Sequence, residues 1–262
     1  MNAPRTLDWT DCHNHLHLLP VNAGIMAEMA AAGIRRCVVN ATCEEEWAAV
    51  RQLAADFPGR IVPALGVHPW QAARAAAGWE ERLEAALAAD PAIVVGECGL
   101  DGAANVDRDI QRRVFRTQVR LAREYGRWLT VHLVRAWGDL QEVLRKEPPP
   151  PRFLMHGFSG SLETARELAR RGAWFSSSGM LLGPRGAKAL AVFRQLPRER
   201  IVLETDAPMM PPPPAWIAHP LPDNRNHPAN LPLIATGLAG ALGLEPQQLA
   251  SIAATNAAAL LR

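Results

Sequence analysis

Histidine side chains with the spacing of metal ligands occur near the start of the chain. In the segment DCHNHLH, His13 and His15 directly follow a short apolar run. Residues i and i+2 of an extended strand face the same side, so both imidazoles are directed to one place and together can bind one metal ion. This alternation at a strand end favours a metal site over two histidines buried in a core.

Four further apolar runs end in side chains that can bind metal. Glu97 ends VVGE beside two glycines, His132 ends LTVH, His156 ends FLMH, and Glu204 and Asp206 follow IVL. A carboxylate at the end of a buried strand is costly unless its charge is compensated. Coordination of an ion compensates it, and an ion pair with an arginine is the alternative. Repetition of the pattern in five runs predicts one shared site.

The candidate ligands outnumber what a single tetrahedral ion with an open position needs. We therefore predict two divalent ions with Glu97 as the bridging carboxylate. Imidazole and carboxylate donors suit Zn, Mn, Co or Ni, and also Mg if carboxylates and water dominate. Two such ions activate water for phosphodiester hydrolysis, and Asp206 is expected to accept the proton of that water. The six predicted ligands are His13, His15, Glu97, His132, His156 and Asp206.

Alternating strands and helices are predicted to position these side chains. Eight short runs rich in Val and Ile alternate with amphipathic stretches, a pattern typical of a parallel sheet buried on both faces. Eight strands close a (β/α)8 TIM barrel, whose strands end at one common mouth, and the length of 262 residues suits one such domain over residues 1–262. The predicted strands span residues 7–12, 35–40, 61–67, 93–97, 129–133, 153–156, 173–177 and 201–204.

The helical patterns lie between these runs and after the last of them. Residues 207–228, with the run PPPP, predict one long loop, either a rigid surface excursion or a lid over the site. The predicted helices span residues 23–32, 44–57, 80–89, 107–125, 137–146, 162–170, 184–195, 229–242 and 247–261.

Charge and hydropathy restrict the class of partner. The formal net charge is +2, from 28 basic and 26 acidic side chains mixed along the chain, which does not fit a protein that grips long duplex DNA. Neither a signal-peptide layout nor an apolar run of membrane-spanning length is present, so we expect a cytoplasmic protein that does not enter a membrane.

Taken together, six segments resemble the TatD family of metal-dependent deoxyribonucleases, within the wider amidohydrolase-like barrels. They are DCHNHLH, GVHP, GECGLD, MHGFSG, LETDAP and RNHPANLP. The resemblance implies that His13, His15, Glu97 and Asp206 bind one ion, and that Glu97, His132 and His156 bind the second. It also implies two Mg, Mn or Zn ions and 3′ to 5′ exonuclease activity on single-stranded DNA ends.

Some positions depart from the family pattern. The family often has HSRxA after its fifth strand, whereas VHLVRA places Val134 at the arginine position and shifts Arg135 by one. Gly102 replaces an aromatic residue after GLD, and His17 stands where an acidic residue is common. These changes bear on the substrate rather than on the metal site. The expected substrate contacts are His68, Asp101, Arg135, Glu204 and Arg225.

Two other functions compete with a nuclease. One is hydrolysis of a small amide, ester or phosphoester, because a barrel does not by itself dictate chemistry. The other is a partner-gated nuclease subunit of a larger assembly, such as an antiphage system. The aromatic side chains Trp70, Trp137 and Trp216 are predicted in loops, where either base stacking or packing suits them.

Overall fold

The sheet follows the order of the sequence. The computed structural model describes residues 8–20 and 23–262, and within them eight strands form one sheet in the order β1 to β8. Parallel pairing holds at the β3–β4, β4–β5, β5–β6 and β7–β8 ladders. The strands are β1 (Trp9–Asn14), β2 (Ile34–Asn40), β3 (Ile61–Leu65), β4 (Val94–Asp101), β5 (Leu129–Val134), β6 (Phe153–Met155), β7 (Ala173–Ser177) and β8 (Ile201–Leu203).

Helices separate the strands, which confirms the predicted (β/α)8 barrel fold. Between β8 and α8 the described chain contains three short 3₁₀ helices, so the predicted long loop is present. The α-helices are α1 (Ala23–Ala31), α2 (Trp47–Asp56), α3 (Trp79–Ala89), α4 (Arg108–Glu124), α5 (Trp137–Lys146), α6 (Leu162–Arg170), α7 (Ala187–Phe193), α8 (Leu231–Leu242) and α9 (Pro246–Leu260).

Several predicted bounds are confirmed and others are wrong. β7, α5 and α6 have the predicted bounds, while the predicted first strand residue, Leu7, lies outside the described residues. β1 continues to Asn14 and β4 to Asp101, both beyond the predicted ends. α7 is shorter than the predicted 184–195, and Gly186 is its N-cap residue. A Cβ at Gly186 would come 2.4 Å from the Leu181 carbonyl oxygen, so the close approach of these two residues requires glycine.

The chain divides into two compact units. Within the described residues, the first unit contains residues 8–20, 23–37, 159–167 and 175–262, and the second contains residues 38–158 and 168–174. The interpretation of residues 1–262 as a single domain remains a prediction. In the part of the chain that the structure describes, no helix is both long and apolar enough to cross a membrane.

Helix α9 packs on β1 and β8 in the first unit. The Asn256 side chain fixes this packing, because its amide donates to the carbonyl oxygens of Arg198 and Ile201, both at 2.7 Å. The helix begins at Pro246, and the side chains of Glu245 and Gln248 form a capping box around its first turn. These contacts hold the region that leads into β8.

Helix α4 packs on β4 in the second unit. Asp107 caps the helix by accepting hydrogen bonds from the amides of Asp109 and Ile110. On its buried face, the Gln118 amide pairs with both backbone groups of Val67, at 2.8 Å to the nitrogen and 3.0 Å to the oxygen. This contact fixes the loop that follows β3.

Candidate metal centre

Two imidazoles and a carboxylate meet in the first unit. His13 lies in β1 and is fully buried, His15 follows the strand, and Asp206 follows β8 with a φ of +56°. The Oδ1 atom of Asp206 lies 3.5 Å from His13 Nε2 and 3.4 Å from His15 Nε2. The structure thus brings together the three predicted ligands from the two ends of the chain.

Backbone hydrogen bonds between the β1 and β8 segments hold this geometry. The Asp206 amide donates to the His13 carbonyl oxygen at 3.0 Å, and the His15 amide donates to the Ala207 carbonyl oxygen at 2.6 Å. Each ligand is therefore fixed through the main chain of the other segment. The site does not depend on side-chain packing alone.

The buried carboxylate of Asp11 ties the same two segments together. It accepts hydrogen bonds from the Thr205 amide at 2.9 Å, the Thr205 hydroxyl at 2.5 Å and the Asn14 amide group at 3.0 Å. Burial raises the pKa of Asp11 to about 7, and the hydrogen bonds from Thr205 and Asn14 oppose that rise. Sequence reasoning did not assign a role to Asp11, although it is the first residue of DCHNHLH.

Three imidazoles surround one carboxylate in the second unit. The Oε1 atom of Glu97 lies 3.1 Å from His132 Nδ1, 3.5 Å from His68 Nε2 and 3.6 Å from His156 Nε2. Glu97 and His68 are buried, and the other two imidazoles are partly exposed. Three predicted ligands therefore lie together, with His68 as a fourth member.

The irregular pairing of β4 places Glu97 in this position. The β4–β5 register shifts between Val95 and Cys98, so Glu97 lies at an interruption of the ladder and not at the strand end predicted from the sequence. Such irregularities redirect a side chain that regular alternation would place elsewhere. Beyond it, Gly99 has a φ of +142°, and a Cβ there would come 2.0 Å from the His132 carbonyl oxygen. Only glycine permits this close approach of β4 to β5.

Asp101 orients the His132 ring. Its Oδ2 atom lies 3.3 Å from His132 Nε2, opposite the nitrogen that faces Glu97, and accepts a 2.7 Å hydrogen bond from Trp70 Nε1. Burial opposes ionisation of Asp101, but hydrogen bonds from Trp70 and the Ala103 amide, together with His132, lower its pKa. A carboxylate on the far nitrogen of a histidine is the usual support of a metal ligand.

The spacing of these atoms fits ligands of a cation better than hydrogen-bonded pairs. Four of the five nitrogen–oxygen distances around Asp206 Oδ1 and Glu97 Oε1 lie between 3.4 and 3.6 Å. Hydrogen bonds between such atoms are usually about 2.9 Å long. Two ligand atoms about 2.1 Å from one tetrahedral ion are roughly 3.4 Å apart. The donor set and its spacing therefore suit a divalent metal ion in each group.

The residues that were predicted to contact substrate differ in burial and in their partners. His68, expected to contact substrate, lies within the Glu97 group, and its place at the end of the GVH run is the sequence signal that could have identified it as a candidate ligand. Arg135 is exposed directly after β5 and has a φ of +47°. Glu204 is fully buried and accepts a 2.5 Å hydrogen bond from Ser176. Arg225 is half-buried, and its Nε atom has no hydrogen-bond partner among the described residues.

Comparisons with known proteins find metal-dependent hydrolases and nucleases among the similar chains. A family model described as TatD related DNase matches residues 10–262. The uncharacterized metal-dependent hydrolase YjjV of Escherichia coli is 33% identical over 77% of this chain and 80% of its own length. A protein of Citrobacter rodentium named 3′-5′ ssDNA/RNA exonuclease TatD is 30% identical over 89% of both chains. The crystal structure of the E. coli protein YjjV, a TatD homolog, has a TM-score of 0.86 at 27% identity, covering 97% of this chain and 98% of that one.

Fold, ligand-capable groups and relatives together define a metal-dependent hydrolase on a (β/α)8 barrel. Because the family model spans almost the whole chain, the protein belongs to the TatD family.

Proposed function

We propose that the protein is a two-metal phosphodiesterase that removes nucleotides from the 3′ ends of single-stranded DNA. The observation that carries this proposal is the 3.4–3.6 Å spacing of imidazole nitrogens around the carboxylate oxygens of Asp206 and Glu97. Relatives named as exonucleases at 30% identity support the choice of substrate.

The candidate ligands divide between two ions. His13, His15 and Asp206 hold one ion, and Glu97, His132 and His156, joined by His68, hold the other. The carboxyl ends of the strands in a (β/α)8 enzyme carry its active-site residues, so we propose that Glu97 acts there as a metal ligand. The ions, Mg, Mn or Zn, supply Lewis acidity toward the phosphodiester and toward water.

The protein's own side chains complete the reaction. The Oδ1 atom of Asp206 faces the two histidines, which leaves Oδ2 to accept the proton of the attacking water. Asp101 keeps Nδ1 of His132 directed to Glu97 by holding the opposite nitrogen. We propose that Asp101, Arg135, Glu204 and Arg225 act on the substrate side, where the two arginines suit phosphate groups.

Metal analysis combined with digestion of labelled single strands tests the proposal. We expect about two divalent ions per chain and stepwise shortening of a 5′-labelled strand, whereas a 3′-labelled strand releases its label in the first step. Asp206→Asn removes the proton acceptor and is expected to lower kcat by roughly 10²- to 10⁴-fold. Glu97→Ala is expected to remove metal as well as activity.

Glu163→Ala provides the matched control, because Glu163 is an exposed glutamate of α6. It is expected to retain wild-type cleavage and metal content. Metal-dependent cleavage that survives both Glu97→Ala and Asp206→Asn would reject the site. Turnover of small esters or phosphoesters by a protein that leaves DNA intact would favour the small-substrate hydrolase. Cleavage that requires an added protein would favour the partner-gated subunit.

A further inference from the structure

Trp70 is an exposed tryptophan beside the Glu97 group. It is 60% exposed, whereas Trp9, Trp47, Trp79, Trp128 and Trp174 are each 7% exposed or less. Tryptophan has a large apolar ring that packing normally removes from water. Packing of a core does not account for the position of Trp70.

The indole is nevertheless held in one orientation. Its Nε1 donates to Asp101 Oδ2 at 2.7 Å, and its backbone amide donates to His68 Nδ1 at 3.2 Å. The ring stands at 80° to the His68 ring, with centroids 4.8 Å apart, and at 71° to the His132 ring, with centroids 6.1 Å apart. An exposed aromatic ring that is fixed by one hydrogen bond and two ring contacts, on a backbone that is itself hydrogen-bonded, is preorganised for a ligand.

The position of the Trp70 ring indicates which kind of molecule it can bind. The Trp70 ring contacts His68 directly, and Asp101 contacts both the indole and His132, so Trp70 lies beside two proposed metal ligands. A nucleotide whose phosphate is held beside His132 carries its base within reach of this ring. Every nucleobase has a π-face, so stacking on tryptophan requires a base without reading its identity.

We propose that Trp70 is a stacking subsite for an unpaired nucleobase next to the scissile phosphate. This inference rests on the proposed function and narrows the substrate to strands that carry bases near the cleaved end. A base in a duplex is already stacked and paired, so the subsite favours single-stranded ends.

Equilibrium binding separates stacking from a structural role. The probe is a 5′-fluorescein-labelled thymidine hexamer, compared with the same strand carrying abasic residues at its two 3′-terminal positions. Fluorescence anisotropy is measured with metal-loaded protein in the Asp206→Asn background, so that the strand stays intact. Stacking contributes about 1–3 kcal/mol per base, so we expect roughly 5- to 150-fold tighter binding of the base-bearing strand.

Two substitutions of Trp70 complete the design. Trp70→Phe keeps an aromatic face but loses the N–H group that donates to Asp101, and Trp70→Leu loses both. We expect Trp70→Phe to retain most of the preference for bases and Trp70→Leu to abolish it. The inference is overturned if Trp70→Leu weakens both strands equally, if Trp70→Phe is as impaired as Trp70→Leu, or if the protein with Trp70 does not distinguish the strands.

This measurement does not depend on hydrolysis. A protein that binds bases through Trp70 but leaves DNA intact would contradict the proposed function and retain the subsite. A nuclease without a preference for base-bearing ends would retain the proposed function and contradict the subsite.

Discussion

Replacement of Thr205 by valine tests the link between the first and last strands. Thr205→Val keeps the shape of the side chain but removes the hydroxyl that donates to Asp11 at 2.5 Å and accepts from the Ala207 amide at 3.2 Å. Both Asp11 and Thr205 are fully buried, so the groups left behind cannot turn to bulk water. Each buried polar group without its partner costs about 1–3 kcal/mol.

The Asp11 carboxylate and the Ala207 amide both lose a partner, which gives a loss of about 2–6 kcal/mol in the free energy of unfolding. The lower half of that range applies, because Asp11 retains the Thr205 amide and Asn14 as donors. A loss of about 3 kcal/mol corresponds to a fall in Tm of roughly 5–6 °C for a chain of 262 residues.

Chemical denaturation of the chelated protein measures this loss directly. Thr205→Ser is the matched control, because it keeps the hydroxyl and loses only a methyl group, at a cost of about 1 kcal/mol. If the valine and serine variants unfold with free energies within about 0.5 kcal/mol of each other, the Asp11–Thr205 hydrogen bond does not stabilise the fold as argued.

Three further predictions concern other parts of the chain. Gln118→Leu leaves both backbone groups of Val67 without their partner and should lower the free energy of unfolding by about 2–4 kcal/mol, so a leucine variant as stable as wild type would contradict this role. Burial lowers the pKa of His227, although the charge of Glu28 opposes this effect. Below about pH 6.5 the folded chain therefore binds fewer protons at His227 than the unfolded chain does. Stability should therefore fall as the pH drops from about 6.5 toward the lower folded pKa, and His227→Asn should reduce the difference in unfolding free energy between pH 7.5 and pH 5.5; an unchanged difference would refute the assignment. Each ion present at about 100 times its Kd stabilises the fold by about 2.7 kcal/mol. Chelation of both proposed ions should therefore lower the Tm of the 262-residue chain by about 10 °C, and an unchanged Tm in a protein shown to lose metal would exclude that coupling.

The sequence alone predicted the elements and most of the side chains that the structure brings together in the two candidate groups. The alternation of apolar runs with amphipathic stretches predicts the (β/α)8 fold, because a strand buried on both faces and an amphipathic helix have different hydrophobic periods. The bounds of β7, α5 and α6 agree with the observed ones. His13 and His15 were predictable since two-residue alternation is a local property of an extended strand.

Only the tertiary structure decided how distant atoms meet. The interruption in β4 that directs Glu97 toward His68 arises from register with β5, which the hydrophobic alternation of β4 alone does not specify. The hydrogen bond between Asp11 and Thr205 joins residues 194 positions apart, and the exposure of Trp70 depends on what the neighbouring strands place around it. Periodicity determines which face a side chain takes within its own element, whereas strand register and packing determine which other atoms come within bonding distance.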